Sequence, residues 1–327
     1  MEARAEKALP DEKGKWQYEP KWDGFHCLVF KAGDAVELRG KSGKPLSRYF
    51  PEVANFVRAL PVGRFVADGE LVIETEGRPS FDALQMRLHP AESRIRKLAA
   101  SMPARLVLFD LLLSPDGEVL TDEPLAKRRR ALEAFGENAA QPGKLMITPV
   151  TQEIDEAREW LTGMSGTDGV VAKRLDRRYE SGERAMVKVK RMRTADCVVG
   201  GFRYETGGRK VRSLLLGLYD AQGRLDHVGF TSAMPDSERP ELTRKLEALR
   251  APPGFTGRAP GGPSRWSTER SVEWQPVKPE LVVEVRFDHV SEGRFRHGTK
   301  LVRWRPDKSP RACTMDQLGA SHSTRQL

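Results

Sequence analysis

The stretch EPKWDGFHCLVF (19–30) sets Lys21, Asp23 and Gly24 immediately before an apolar run. A lysine in that place is either an ordinary cation beside an Asp-Gly turn or an amine held as a nucleophile, and K-x-D-G by itself is too common to decide. Two further stretches put charge inside strand-like runs. In FVADGELVI (65–73), Asp68 and Glu70 stand two apart, so they share one face of a strand beside Val66, Leu71 and Val72. Carboxylates so placed need a metal ion, a sugar hydroxyl or an arginine as partner, because an unpaired buried one is costly. In AMVKVK (185–190), Lys188 and Lys190 face one side while Val187 and Val189 face the other. Adjacent ammonium groups repel. On a cleft wall they would clamp an anion and help keep a third lysine neutral; on a solvated surface they would do neither.

The elements that must position these residues are short. From Tyr18 to about Lys190, the β-rich runs FHCLVF, FVADGELVI, ARLVLFDLLL, GVVAK and AMVKVK are separated by helical segments. PLAKRRRALEAFG is one predicted helix, closed by Gly136, and EIDEAREWLTGM is another. With no fixed repeat, this part reads as an α+β domain with a largely antiparallel sheet. Beyond Arg191 the pattern changes to CVVGGFRY, VRSLLLGLYD, LDHVGFTSAM, ELVVEVRFDHV and KLVRWR, with one helix (SERPELTRKLEALR) and a Pro/Gly-rich loop at 251–266. Five strands and one helix suit a small closed barrel such as an OB fold, although pattern alone leaves an SH3-like barrel open. The domain boundary is expected near residues 192–197, which gives domains 1–192 and 193–327. The first ten residues and the tail GASHSTRQL lack periodicity and are expected to be loose.

Composition narrows the function classes. The chain has 327 residues and a formal net charge of +9. Residues 1–192 hold 32 Lys/Arg against 30 Asp/Glu (+2), and residues 193–327 hold 23 against 16 (+7), so the excess sits in the barrel-like part. A basic domain favours a phosphate-rich partner through counterion release. No run approaches the roughly 18 apolar residues of a membrane span, and no export signal is visible. Cys27, Cys197 and Cys313 are odd in number and lack metal-ligand spacing, as suits a reducing compartment. A cytoplasmic protein is expected.

Taken in order, KWDG (21–24), DGE (68–70), LFDLL (108–112), DGVVAK (168–173), KVK (188–190) and RWRPDK (303–308) resemble the motif series of the covalent nucleotidyltransferases, specifically an ATP-dependent DNA ligase. EPKWDGF, RYFPEV, DGVVAKRLDRRYESGER, VKVKRMRTADCVVGGFRY and VRWRPDKSPRACTMDQL resemble the bacterial end-joining type, ligase C or the ligase module of ligase D. The resemblance spans roughly residues 16–320. It implies an adenylation domain followed by an OB-fold domain. Lys21 would attack the α-phosphate of ATP; Glu19 would lie near the adenine amino group and Phe109 would stack on the base. Glu70 would bind the ribose or help position a metal, Asp168 would be a metal ligand, and Lys188 and Lys190 would hold the α-phosphate. Arg305, Asp307 and Lys308 would orient the departing pyrophosphate. The implied cofactors are ATP and Mg2+, with Mn2+ also suited to oxygen ligands. The implied partner is nicked duplex DNA, handled by a monomer that acts at the bacterial nucleoid, with end-joining proteins as further partners. Neither a polymerase nor a nuclease domain is expected in this chain.

Three residues depart from the family pattern. His26 and Lys41 stand where Arg is usual, Lys41 still being expected among the nucleotide-binding residues, and Asp168 stands where Glu is usual, one methylene shorter. A capping guanylyltransferase or an RNA ligase shares K-x-D-G, and a non-catalytic OB protein would share the basic barrel.

Overall fold

The computed structural model describes residues 1–75, 77–163, 166–261 and 273–319. The chain divides into two compact units, Met1–Arg191 and Met192–Leu327. Among the described residues, no helix is long and apolar enough to cross a membrane.

The first unit is α+β and contains two large sheets beside a two-stranded ribbon of Glu74–Thr75 with Arg78–Pro79. One has four strands in the order β1–β9–β8–β2, formed by β1 (Ala3–Ala5), β2 (Trp16–Trp22), β8 (Thr167–Arg174) and β9 (Met186–Lys190). The other runs β4–β3–β5–β6–β7, formed by β3 (Phe25–Ala32), β4 (Ala35–Arg39), β5 (Arg64–Val72), β6 (Arg105–Leu113) and β7 (Leu145–Ile147). Pairing is antiparallel except for β1 with β9 and β6 with β7. Helices α1 (Pro51–Ala59) and α4 (Leu125–Ala139) pack on the five-stranded sheet, and α5 (Ile154–Gly163) packs on the other. Helices α2 (Phe81–Arg87) and α3 (Glu92–Ser101) lie between β5 and β6 in the chain. Each sheet has its own apolar core. The larger contains Val29, Phe50, Phe65, Leu106 and Leu132; the smaller is Trp16, Tyr18, Ala157, Val170, Ala172, Val187 and Val189.

The structure corrects two expectations. Helix α4 does not end at Gly136 but runs to Ala139, and a Cβ on Gly136 would sit 2.5 Å from Ile147 Cγ1. The glycine serves close packing of the helix on β7 rather than termination. The first ten residues are also not all loose, since Ala3–Ala5 form a parallel edge strand against Met186–Lys188. Three residues carry no readable period, and the pairing partner is remote in sequence.

The second unit is a five-stranded barrel. Strands β10 (Arg193–Tyr204), β11 (Val211–Tyr219), β12 (Leu225–Thr231), β13 (Val282–Phe287) and β14 (Lys300–Trp304) hydrogen-bond in the order β12–β11–β10–β13–β14. A parallel bridge between Thr231 and Thr299 closes the circuit; the Thr231 hydroxyl donates to the Thr299 carbonyl at 3.0 Å, and Thr299 N donates to Phe230 O at 3.0 Å. Helix α6 (Arg239–Ala248) falls between the third and fourth strands. This order and closure are those of an OB fold. The long β10 pairs with β13 through its first half and with β11 through its second. Residues 262–266 of the predicted loop and residues 320–327 of the predicted tail lie outside the described residues.

Candidate active site

The four-stranded sheet gathers the charged residues through its register. On the central β8, Gly169 lies opposite Lys21 of β2 on one side and Lys190 of β9 on the other, while Val171 lies opposite Glu19 and Lys188. Cross-strand partners point the same way, so Glu19, Lys21, Lys188 and Lys190 share one face, and Val187 and Val189 are buried on the reverse. Gly169 makes this spacing possible. A Cβ there would lie 2.0 Å from Val189 O, and its φ of +155° further disfavours a side chain. The register shifts between Thr167 and Gly169, so Asp168 is the extra residue of a β-bulge. Its carboxylate turns toward Lys21, with Oδ2 3.2 Å from Lys21 Nζ.

A second bulge shapes the facing sheet. The register of β5 with β6 shifts between Asp68 and Gly69, which leaves Phe109 as the extra residue of β6. Its ring is only partly buried, and Lys173 Nζ lies 4.6 Å from the ring centroid. Lys173 also donates to Phe109 O at 3.2 Å and pairs with Glu19 Oε2 at 2.8 Å; both of those charged side chains are 4 % exposed. Gln17 Nε2 donates to the other Glu19 oxygen at 2.8 Å.

On β5, Glu70 Oε1 accepts from Gly24 N at 3.1 Å. Gly24 answers a steric demand, since its Cβ would meet Leu71 O at 2.2 Å. Among the described residues the buried Asp68 is met by a histidine and a tyrosine rather than an arginine. Its Oδ1 lies 2.6 Å from His26 Nε2, and its Oδ2 accepts from Tyr179 OH at 2.7 Å. Behind it the fully buried Arg128 grips Asp110 through two bonds, of 2.8 and 2.9 Å, with its guanidinium 5.8 Å from the Tyr179 ring centroid.

These charges move one another's ionisation. Burial pushes the Glu70 carboxyl up to about 7, against the pull of Lys21 and His26. Burial and the charges of Lys21, Lys190 and Lys41 hold the Lys188 ammonium below its usual range. Burial works against a charged His26 ring, yet the Asp68 carboxylate outweighs it and raises the His26 pKa. Lys41 lies in the loop after β4, is 66 % exposed, and pairs with Glu2 Oε1 at 3.0 Å.

In the barrel unit, Arg305 donates through Nε and Nη2 to Asp307 at 2.9 and 2.8 Å, and through Nη1 to Asp196 Oδ1 at 2.8 Å. Lys308 Nζ lies 3.6 Å from Asp196 Oδ2. The Asp307 carboxyl is pulled down to about 2, first by its bond to Arg305.

The first unit thus brings Glu19, Lys21, Lys188, Lys190 and Asp168 onto one sheet, with Lys41 near Lys188, and puts Glu70 within the field of Lys21. Arg305, Asp307 and Lys308 form a cluster of their own. Motif reading passes over Lys173, Asp196, Tyr179 and Gly169. A lysine closing the apolar run VVAK was the available signal for Lys173; nothing local marks Asp196 or Tyr179.

Comparison with known proteins agrees along both units. The ATP dependent DNA ligase domain family matches residues 2–190, and the ATP dependent DNA ligase C terminal region matches residues 207–308. DNA ligase C1 of Mycolicibacterium smegmatis is 44 % identical over 97 % of this chain and 92 % of its own length. DNA ligase C of Mycobacterium tuberculosis is 40 % identical over the same shares, 97 % and 92 %. The crystal structure of the ligase domain from M. tuberculosis LigD superposes with a TM-score of 0.50 at 28 % identity, covering 94 % of this chain and 96 % of that one. A lysine among cations and carboxylates on one sheet, an OB barrel carrying R-x-D-K, and relatives matched over nearly their whole length lead to one family: the chain belongs to the ATP-dependent DNA ligases, enzymes of the ligase C and LigD kind.

Proposed function

We propose that this chain seals nicks in duplex DNA with Lys21 as the covalent carrier of AMP. The observation that carries the reading is the placement of Lys21 Nζ, 3.2 Å from Asp168 and on one sheet face with Lys188 and Lys190. The Nζ lone pair attacks the α-phosphorus of ATP, the P–O bond to pyrophosphate breaks, and lysyl-AMP results. Lys188 and Lys190 hold the α-phosphate and offset its charge; Lys41 adds to the same positive field. Glu19, fixed by Lys173 and Gln17, accepts from the adenine amino group, and Phe109 offers the base its ring. Glu70 receives the ribose. Arg305, Asp307 and Lys308 orient the leaving pyrophosphate.

AMP then passes to the 5′-phosphate of a nick and frees Lys21. The 3′-hydroxyl oxygen attacks the activated phosphate, the phosphodiester forms, and AMP leaves.

Asp168 and Glu70 are hard oxygen donors near Lys21, and a bound cation would favour the ionised form of the Glu70 carboxyl that burial pushes up to about 7, so the pair fits Mg2+ or Mn2+. Such an ion supplies charge neutralisation at the phosphate in transfer. Kinship with the multifunctional non-homologous end joining protein LigD supports a place in DNA end joining beside proteins that hold the ends; a monomer acting in the bacterial cytoplasm at the nucleoid belongs to the same proposal. The division into adenylation domain 1–192 and OB-fold domain 193–327 is part of this reading.

Intact-protein mass spectrometry after mixing with ATP and Mg2+ tests it. One covalent AMP on the parent, none on Lys21→Ala, none with GTP, and sealing of nicked DNA but not nicked RNA are expected. An adduct that survives Lys21→Ala refutes the assignment.

A further inference from the structure

Every charge of the R-x-D-K element is already answered within the barrel. Arg305 spends Nε and Nη2 on Asp307 and Nη1 on Asp196, and Lys308 leans on the second Asp196 oxygen. With two cations (Arg305, Lys308) and two carboxylates (Asp196, Asp307), the group sums to zero. The two carboxylates differ in kind. Asp307 belongs to the motif, sits on the same turn, and its side chain is 65 % exposed. Asp196 comes from β10, remote in sequence, and is 13 % exposed.

Asp196 is also anchored through its main chain. Its amide donates to Gln317 Oε1 at 2.9 Å, its carbonyl accepts from Gln317 Nε2 at 3.0 Å, and it pairs in register with Glu284 of β13. Arg305 and Lys308 lie beyond the end of β14, in a turn, and reach Asp196 with long side chains. The Asp196 carboxylate therefore bridges the two cations at 2.8 and 3.6 Å, as an oxyanion of a phosphate would.

We propose that Asp196 is a resident counter-anion of the R-x-D-K element, a fixed carboxylate that holds Arg305 and Lys308 together and that the phosphates of ATP must displace. This rests on the role given above to Arg305 and Lys308. Asp196 is a positioning residue that touches no substrate. It sets an electrostatic threshold, because a multiply charged polyphosphate draws the two cations away while a singly charged anion competes poorly.

The test is single-turnover self-adenylylation of the full chain as a function of ATP concentration. Asp196→Asn keeps the main-chain bonds to Gln317 and removes only the charge, leaving the element at +1. The apparent KM for ATP is expected to fall about two- to fivefold, the range for one partly exposed ion pair, with the maximal rate retained. The gain should shrink in high salt, and Asp196→Glu should return KM toward the parent value. An unchanged or raised KM in Asp196→Asn overturns the inference, as does a lower melting temperature and maximal rate with KM unmoved, the mark of a purely structural role. Arg305→Ala separates the two levels. If it leaves self-adenylylation intact, the assigned role of the element fails; if it slows the step while Asp196→Asn does not lower KM, only the counter-anion inference fails.

Discussion

Substituting Lys173 by methionine is expected to cost unit one about 3 kcal/mol while nearly preserving side-chain volume. Glu19 and Lys173 meet at 2.8 Å with 4 % exposure on each side. At that distance and an effective dielectric near 20, the attraction is about 6 kcal/mol, set against several kcal/mol of desolvation for each ion. Removing one partner forfeits the attraction but leaves the other ion's desolvation standing, typically a loss of about 3–5 kcal/mol. Gln17 still donates to Glu19 at 2.8 Å, which places the expectation at the lower end. Loss of Lys173 also strips a donor from Phe109 O and a cation from its ring. Calorimetry should show the transition of the first unit lowered by about 6–12 °C. The double variant Glu19→Gln/Lys173→Met, with neither ion of this pair left, should recover most of that loss. A single-variant cost below about 1 kcal/mol, or a double variant as unstable as the sum of the singles, would refute the account of this pair as mutually dependent buried charges.

Two further outcomes follow from the geometry. Gly169→Ala forces a Cβ to within 2.0 Å of Val189 O, so β9 must move away from β8 and carry Lys188 and Lys190 with it. The single-turnover rate of AMP attachment should drop about tenfold to a hundredfold, and a parent-like rate would show that the lysine spacing does not matter. In the barrel, burial and then the charge of Arg294 hold His227 well below histidine's ordinary 6.5, at about 3. Between those values the folded state binds fewer protons than the unfolded one, so this residue makes stability rise with pH and fall on acidification. The slope approaches about 1.4 kcal/mol per pH unit at most, and the difference between parent and His227→Gln in urea titrations from pH 4 to 6 should reveal it; identical slopes would count against it.

Much of the site is legible in the sequence alone. The alternation in MVKVK correctly puts both lysines on one face, because that period depends only on the local backbone. The motif order and the strand count of the second half point to the right family and to a barrel, and chain connectivity suffices for both. The partners could not be read in the same way. Asp68 finds His26 and Tyr179, Glu19 finds Lys173, and Arg305 finds Asp196, each across strands or loops remote in sequence.

The bulges mark the division most sharply. A period-two reading turns Asp168 away from its strand neighbour Gly169, and hence away from the face that carries Lys21, and it gives Phe109 no special exposure. Each is the extra residue of a bulge, with the Asp168 carboxylate 3.2 Å from Lys21 and the Phe109 side chain partly open. By itself the sequence determined which side chains are available and which strands carry them. Only the tertiary structure decided which of them meet, because a bulge arises from the register of two strands against each other and not from the residues of either one.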